Sequence, residues 1–185
     1  MHTRFASLPS HANPMLLDDE YPLNDTDQHW LRQAFVWAHA ARTRGNRPFG
    51  AIVVNGRGRI LAEAFSNTQE TGDSTGHAEM NAVRQLGTAR LTPNALTHAT
   101  LYCSAQPCAM CASAICAVGL RRVVYGLDSG RLEQIRPDLR PLQLSCHDVF
   151  ASAVETVECA GPCLVQEALA VVEDRWFYPE EQRRC

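Results

Sequence analysis

Two short segments constrain this chain more than anything else in it: His77-Ala78-Glu79, and Pro107-Cys108-Ala109-Met110-Cys111. Cys108 and Cys111 stand at i and i+3, so a helix places both thiols on one face. In the first turn of that helix, free N–H groups and the helix dipole favour anions and help to make thiolates, the species that binds metals. His77 falls at the expected start of another helix, where the dipole disfavours imidazolium and leaves the neutral ring that a metal requires. A fold that turns two helix N-termini toward one point would therefore assemble one imidazole and two thiolates. That donor set suits zinc, with three protein ligands and a fourth position open to water, whose pKa would fall to about 7. Glu79 lies two residues from the His and does not share its direction, which suits a base beside the metal and not on it.

Each half has a simpler explanation. A lone Cys-x-x-Cys is as often redox-active or structural as catalytic, and a lone His-x-Glu is mostly chance. Their combination, each half after an expected strand and opening an expected helix, is what carries the zinc reading. A closed structural site would need a fourth ligand, and neither Cys103 nor Cys116 has a convincing spacing for it.

The remaining composition narrows the class. At 185 residues the chain fits one domain with a good core. No apolar run approaches a membrane span. The first 24 residues carry His2, Arg4, Pro9, Pro14, Asp18, Asp19, Glu20 and Pro22 and lack a secretory apolar stretch. Residues 1–24 are expected to be a flexible arm, 25–185 the folded domain, and the compartment cytoplasmic. The net charge is −3 and all 17 cationic side chains are Arg. That balance speaks against a large nucleic-acid partner, although a local basic face can sit on an acidic protein. Of the eight Cys, only Cys159 and Cys163, flanking Gly161-Pro162, suggest a second metal pair, and buried thiols explain these better.

Strands and helices alternate along the chain. A helix capped by Asp25 or Thr26 would bury Trp30, Ala34, Phe35, Trp37, Ala38 and Ala41. Strands 51–54 and 60–65 flank Asn55-Gly56, a hairpin signal. Residues 66–76 read as loop. A helix from 75–77 should run to Leu86 and stop at Gly87. Strand 99–104 is followed by Pro107, which suits a helix N-terminus, and by a helix running from Cys108 to Val118 and stopped by Gly119. Strands 122–125 and 154–159 and a helix 164–176 complete the pattern, with 127–152 unassigned. This alternation argues for a mixed α/β layer fold.

At this point the residues resemble a family. His77-Ala78-Glu79 followed by Pro107-Cys108-x-x-Cys111 is similar to the signature of the zinc-dependent cytidine-deaminase-like superfamily. The resemblance runs from about residue 28 to 126. It is strongest to the branch of bacterial guanine deaminases, tRNA adenosine deaminases and fungal cytosine deaminases. It implies a three-layer α/β/α fold around a central mixed five-stranded sheet. It also implies Zn2+ held by His77, Cys108 and Cys111, Glu79 as proton carrier, and a homodimer. Pro48-Phe49-Gly50-Ala51 looks like a guanine-deaminase segment. Asn67 stands where the branch carries an Asn that hydrogen-bonds the base. Phe49, Ala78, Asp128 and Trp176 are the other candidate substrate contacts, the last within Trp176-Phe177-Tyr178, which resembles the C-terminal aromatics of cytosine deaminases. His147 and Asp148 are further candidate pocket residues.

Two departures stand out. Gln106 replaces the Glu usual before Pro-Cys, and residues 127–132 match neither the acidic segment of guanine deaminases nor the Lys-containing stretch of the tRNA enzymes. The resemblance implies hydrolytic deamination of a free purine base or nucleoside, guanine first, with ammonia released. A tRNA adenosine deaminase and a cytosine-type deaminase are the alternatives. A non-catalytic zinc module is disfavoured by Glu79, for which a purely structural site has no use.

Overall fold

The computed structural model describes residues 21–136 and 142–173. Helix α1 (Asp25–Thr43) begins at Asn24, whose side chain accepts from the Asp27 amide, so the cap lies one residue before the expected Asp25. Its buried stripe is Asp27, Leu31, Ala34, Phe35, Ala38 and Ala41, with Trp30 and Trp37 half-buried at its margin. Strands β1 (Gly50–Val54) and β2 (Ile60–Phe65) form the expected antiparallel hairpin. Asn55 Oδ1 closes the turn by accepting from the amides of Arg57 and Arg59.

The stretch expected to be loop after β2 contains one helical turn, α2 (Thr68–Thr71), ended by Gly72 at φ 70°. Helix α3 (Ala78–Thr88) passes through Gly87, which was expected to stop it. A Gly inside a helix weakens it without breaking its hydrogen bonds. After a short turn α4 (Pro93–Leu96), β3 (Thr100–Ala105) leads into α5 (Ala109–Val118). Here Cys108 is the N-cap, so the helix starts at Ala109, one residue after the expected Cys108. Gly119 ends α5 in the left-handed conformation, as expected.

Strand β4 (Arg122–Leu127) follows. The unassigned region holds α6 (Ser129–Ile135) and α7 (Cys146–Ala151). Strand β5 is shorter than expected, Glu158–Ala160, and α8 runs Val165–Glu173.

The five strands make one mixed sheet in the order β2-β1-β3-β4-β5. β1 is antiparallel to β2 and β3, while β3, β4 and β5 are parallel. Side chains alternate between two cores, as the pleat requires. Ala51, Val53, Leu101, Cys103, Val123 and Tyr125 face the core formed with α3, α5 and α7. Ile52, Val54, Tyr102 and Val124 face the core formed with α1 and α8. Gly50 is where α1 and the sheet meet most closely: a Cβ there would stand 2.2 Å from the Ala34 carbonyl oxygen and 2.4 Å from the Ala38 nitrogen. Part of the Pro48-Phe49-Gly50-Ala51 segment is thus explained by packing of α1 on β1. Tyr21 N donates to Pro162 O at 2.9 Å and Leu23 packs on the α1/α8 core. No helix of the described residues is long and apolar enough to cross a membrane.

Candidate metal centre

The two segments meet at the N-termini of α3 and α5. His77 is the N-cap of α3, Cys108 the N-cap of α5, and Cys111 lies in the first turn of α5. His77 Nδ1 is 3.7 Å from Cys108 Sγ and 3.5 Å from Cys111 Sγ, and the two sulphurs are 3.6 Å apart. Tetrahedral coordination at ordinary zinc–ligand lengths would place two thiolate sulphurs about 3.8 Å apart and a sulphur and an imidazole nitrogen about 3.6 Å apart. The donor set and its spacing therefore fit zinc. Cys111 is buried, His77 half-buried and Cys108 exposed, so the cluster opens to solvent on one side.

Electrostatics follow from this crowding. The Cys111 thiol and His77 both hydrogen-bond to Cys108, hold its pKa below that of an ordinary thiol against the effect of burial, and leave Cys111 raised. The Cys108 bond in turn raises His77, opposite to the effect expected from the helix dipole alone. Glu79, in the first turn of α3, is 8% exposed. Burial pushes it up to about 7, against the pull of its own backbone amide, His77 and Cys111. A bound divalent cation would be the largest charge here and would draw Glu79 back toward its ionised form.

Comparison with known proteins agrees with this geometry. Residues 24–127 match the family described as the cytidine and deoxycytidylate deaminase zinc-binding region. The chain belongs to that family. It is accordingly a hydrolytic deaminase of the zinc-dependent, cytidine-deaminase-like type. It is 34% identical over 157 residues to a probable cytosine deaminase of Schizosaccharomyces pombe, covering 83% of this chain and 94% of the relative. It is 34% identical over 132 residues to the tRNA-specific adenosine deaminase of Agrobacterium fabrum, covering 69% and 86% of the two chains. Among solved structures, guanine deaminase from Bacillus subtilis is similar at a TM-score of 0.54 and 29% identity, covering 62% of this chain and 71% of that one.

Within the deaminase fold, the expected substrate residues fall in different places. Asn67 ends the β2–α2 connection beside the segment leading to His77: its backbone N donates to Gly76 O at 2.9 Å, and its Oδ1 accepts from Asn81 Nδ2 at 2.9 Å. Asn81 is itself oriented by donating to Phe65 O and accepting from Arg84, so Asn67 must present its oxygen inward. Its Nδ2 is left with no acceptor among the described residues. Gly76 is required beside it, since a Cβ there would be 2.4 Å from Asn67 Oδ1. Asn81 had no signal as a site residue in the sequence, although it is a half-buried amide three residues from the buried Ala78 on α3.

Ala78 is fully buried between His77 and Glu79, and Phe49 is half-buried against both cores. Asp128 serves the fold: it caps α6 by accepting from Arg131 N and is ion-paired with the Arg131 side chain. Asp148 is committed to a capping box with Ser145. His147 Nε2 lies 3.1 Å from the Tyr125 hydroxyl. Trp176 and the two aromatics after it lie outside the described residues.

A cavity of about 580 Å³ lies at the other end of the sheet, lined by Asn24, Asp27, Trp30, Val54, Tyr102 and Arg122 among others. Val54 ends β1 and Arg122 begins β4, whereas Cys108 follows the end of β3. The cavity is thus remote from the triad. Its buried carboxylate, Asp27, is already satisfied by Arg122, Tyr102 and Asn24.

Proposed function

We propose that this chain removes the amino group of a free nucleobase by hydrolysis, with guanine as its preferred substrate, and that His77, Cys108 and Cys111 hold the zinc while Glu79 moves the protons. The observation that carries this reading is the His77–Cys108–Cys111 triangle, spaced as tetrahedral ligands, with Glu79 buried beside it. Zinc bound there supplies an acidified water as nucleophile. The Glu79 carboxylate takes the proton that water loses and delivers it to the ring nitrogen beside the amino-bearing carbon. It then carries the second proton to the departing amine. The balance is amino-base plus water giving oxo-base plus ammonia. Burial of Glu79 excludes competing solvent and strengthens its hydrogen bonds to reacting atoms.

Asn67, its Oδ1 held by Asn81, would offer Nδ2 as a donor to an acceptor on the base, a role that guanine O6 and N7 can fill. Similarity to the Bacillus subtilis guanine deaminase supports the purine, and the net charge of −3 disfavours tRNA. Cytosine is a second reading, favoured by the match to the probable cytosine deaminase along 94% of its length. The test is a panel of guanine, cytosine, adenine, their nucleosides and tRNA with zinc-loaded protein, read as ammonia release and inosine formation. Guanine should turn over fastest. Cytosine turnover without guanine turnover selects the second reading, and activity on tRNA alone defeats both.

A further inference from the structure

A second cluster of metal-binding side chains lies outside the catalytic triad. Cys146 opens α7, Cys159 lies in β5, and their sulphurs are 3.9 Å apart. A ring nitrogen of His147 completes a set of three donor atoms that all lie within 4.8 Å of one another. Two thiolates on one tetrahedral zinc stand about 3.8 Å apart. Cys146 is fully buried, Cys159 half-buried and His147 exposed, so the cluster has an apolar floor and an entrance from solvent.

Its surroundings are arranged for thiolate. Gln106 Nε2 donates to Cys146 Sγ at 3.3 Å, and Gln106 Oε1 accepts from Ser129 N at 2.9 Å, so the amide cannot turn its oxygen to the sulphur. An N–H aimed at a sulphur favours its charged form. The Tyr125 hydroxyl lies 3.1 Å from His147 Nε2 and restrains the ring.

We propose that Cys146, Cys159 and His147 form a second zinc site, separate from the catalytic one, with Gln106 as a hydrogen-bond donor to its Cys146 ligand. Both sulphurs bind as thiolates, so loading releases their thiol protons to solvent. The site ties α7 to β5. Through Gln106 it also ties both to the loop that carries Cys108. Pairing of Cys159 with Cys163 is not needed.

The test is a titration of reduced, chelator-stripped full-length protein with Co2+, followed by cobalt–thiolate charge-transfer absorption and by metal content after desalting. Wild type should take two equivalents, and Cys108→Ala should keep one that still shows thiolate absorption. In the Cys108→Ala background, Cys159→Ser should abolish that absorption. His147→Ala, at an exposed position that leaves the core intact, should weaken the remaining equivalent by about tenfold or more. One equivalent in the wild type overturns the proposal. So does a second equivalent indifferent to both Cys159→Ser and His147→Ala, or a Cys146–Cys159 disulfide forming with no metal bound.

Discussion

Replacing Arg122 by Met should cost about 3 kcal/mol, more than replacing its partner Asp27 by Asn. The Asp27 carboxylate is 3% exposed. Arg122 donates to both of its oxygens at 2.8 Å, Tyr102 donates to Oδ1 at 2.7 Å, and Asn24 donates to Oδ2 at 2.9 Å. Removing one partner of a buried ion pair costs about 3–5 kcal/mol, because the other charge is left uncompensated. The Tyr102 and Asn24 bonds survive and the Arg122 side chain is 27% exposed, which places Arg122→Met at the low end. Asp27→Asn removes the buried charge itself. Arg122 then keeps Glu158 at 3.1 Å and its access to water, so the loss should be about 1–1.5 kcal/mol.

Burial would raise the Asp27 pKa, but hydrogen bonds from Arg122 and Tyr102, the guanidinium charge and Asn24 together hold it below the ordinary value. Its contribution is therefore complete above the unfolded carboxyl pKa, about 3.9, and is lost as pH falls through the lower folded value. The advantage of wild type over Asp27→Asn should thus persist at neutral pH and vanish in strong acid. Urea unfolding with unchanged m-value measures all three proteins. Equal losses for the two variants, the reverse order, or a wild-type advantage unaffected by acid would show that Arg122 does not compensate a buried Asp27 charge.

Two further outcomes follow from close contacts. Gly50→Ala should destabilise by about 2–3 kcal/mol in the same assay, because the added carbon meets backbone of α1 that cannot rotate aside; a change under about 1 kcal/mol would contradict this contact. Asn67→Asp keeps the bond accepted from Asn81 and removes the donor, so stability should hold while kcat/KM on the preferred base falls about tenfold or more; unchanged kcat/KM would remove Asn67 from base recognition.

The site was more legible in the sequence than the fold around it. His77, Cys108 and Cys111 could be read together because metal donors are few and their helix-end spacing is specific. The β1–β2 hairpin was legible for a similar reason, since Asn55-Gly56 stands between two apolar runs. Gly87 misled because propensity is a weak prior: Leu86 is fully buried in the core, and α3 continues through the weak position. The start of α5 was placed one residue early because Cys108 takes the cap. Among the described residues of 127–152, α6 and α7 were illegible because they are short, are held by caps at Asp128 and Ser145 and have little periodic apolar content. Cys159 was weighed against Cys163 because they are near in sequence, whereas the fold brings Cys146 to it from another element.

We propose that the triad holds the metal and that Glu79 moves protons without holding it. One paired measurement tests this: zinc content and ammonia release on the same samples of wild type, Glu79→Gln and Cys108→Ala. Glu79→Gln should keep the wild-type zinc content and lose about 10²–10⁴-fold in turnover, the range of a general acid–base group. Cys108→Ala should lose one equivalent of zinc together with activity. Turnover of Glu79→Gln within a few-fold of wild type, or Cys108→Ala with its zinc content unchanged, would contradict the account.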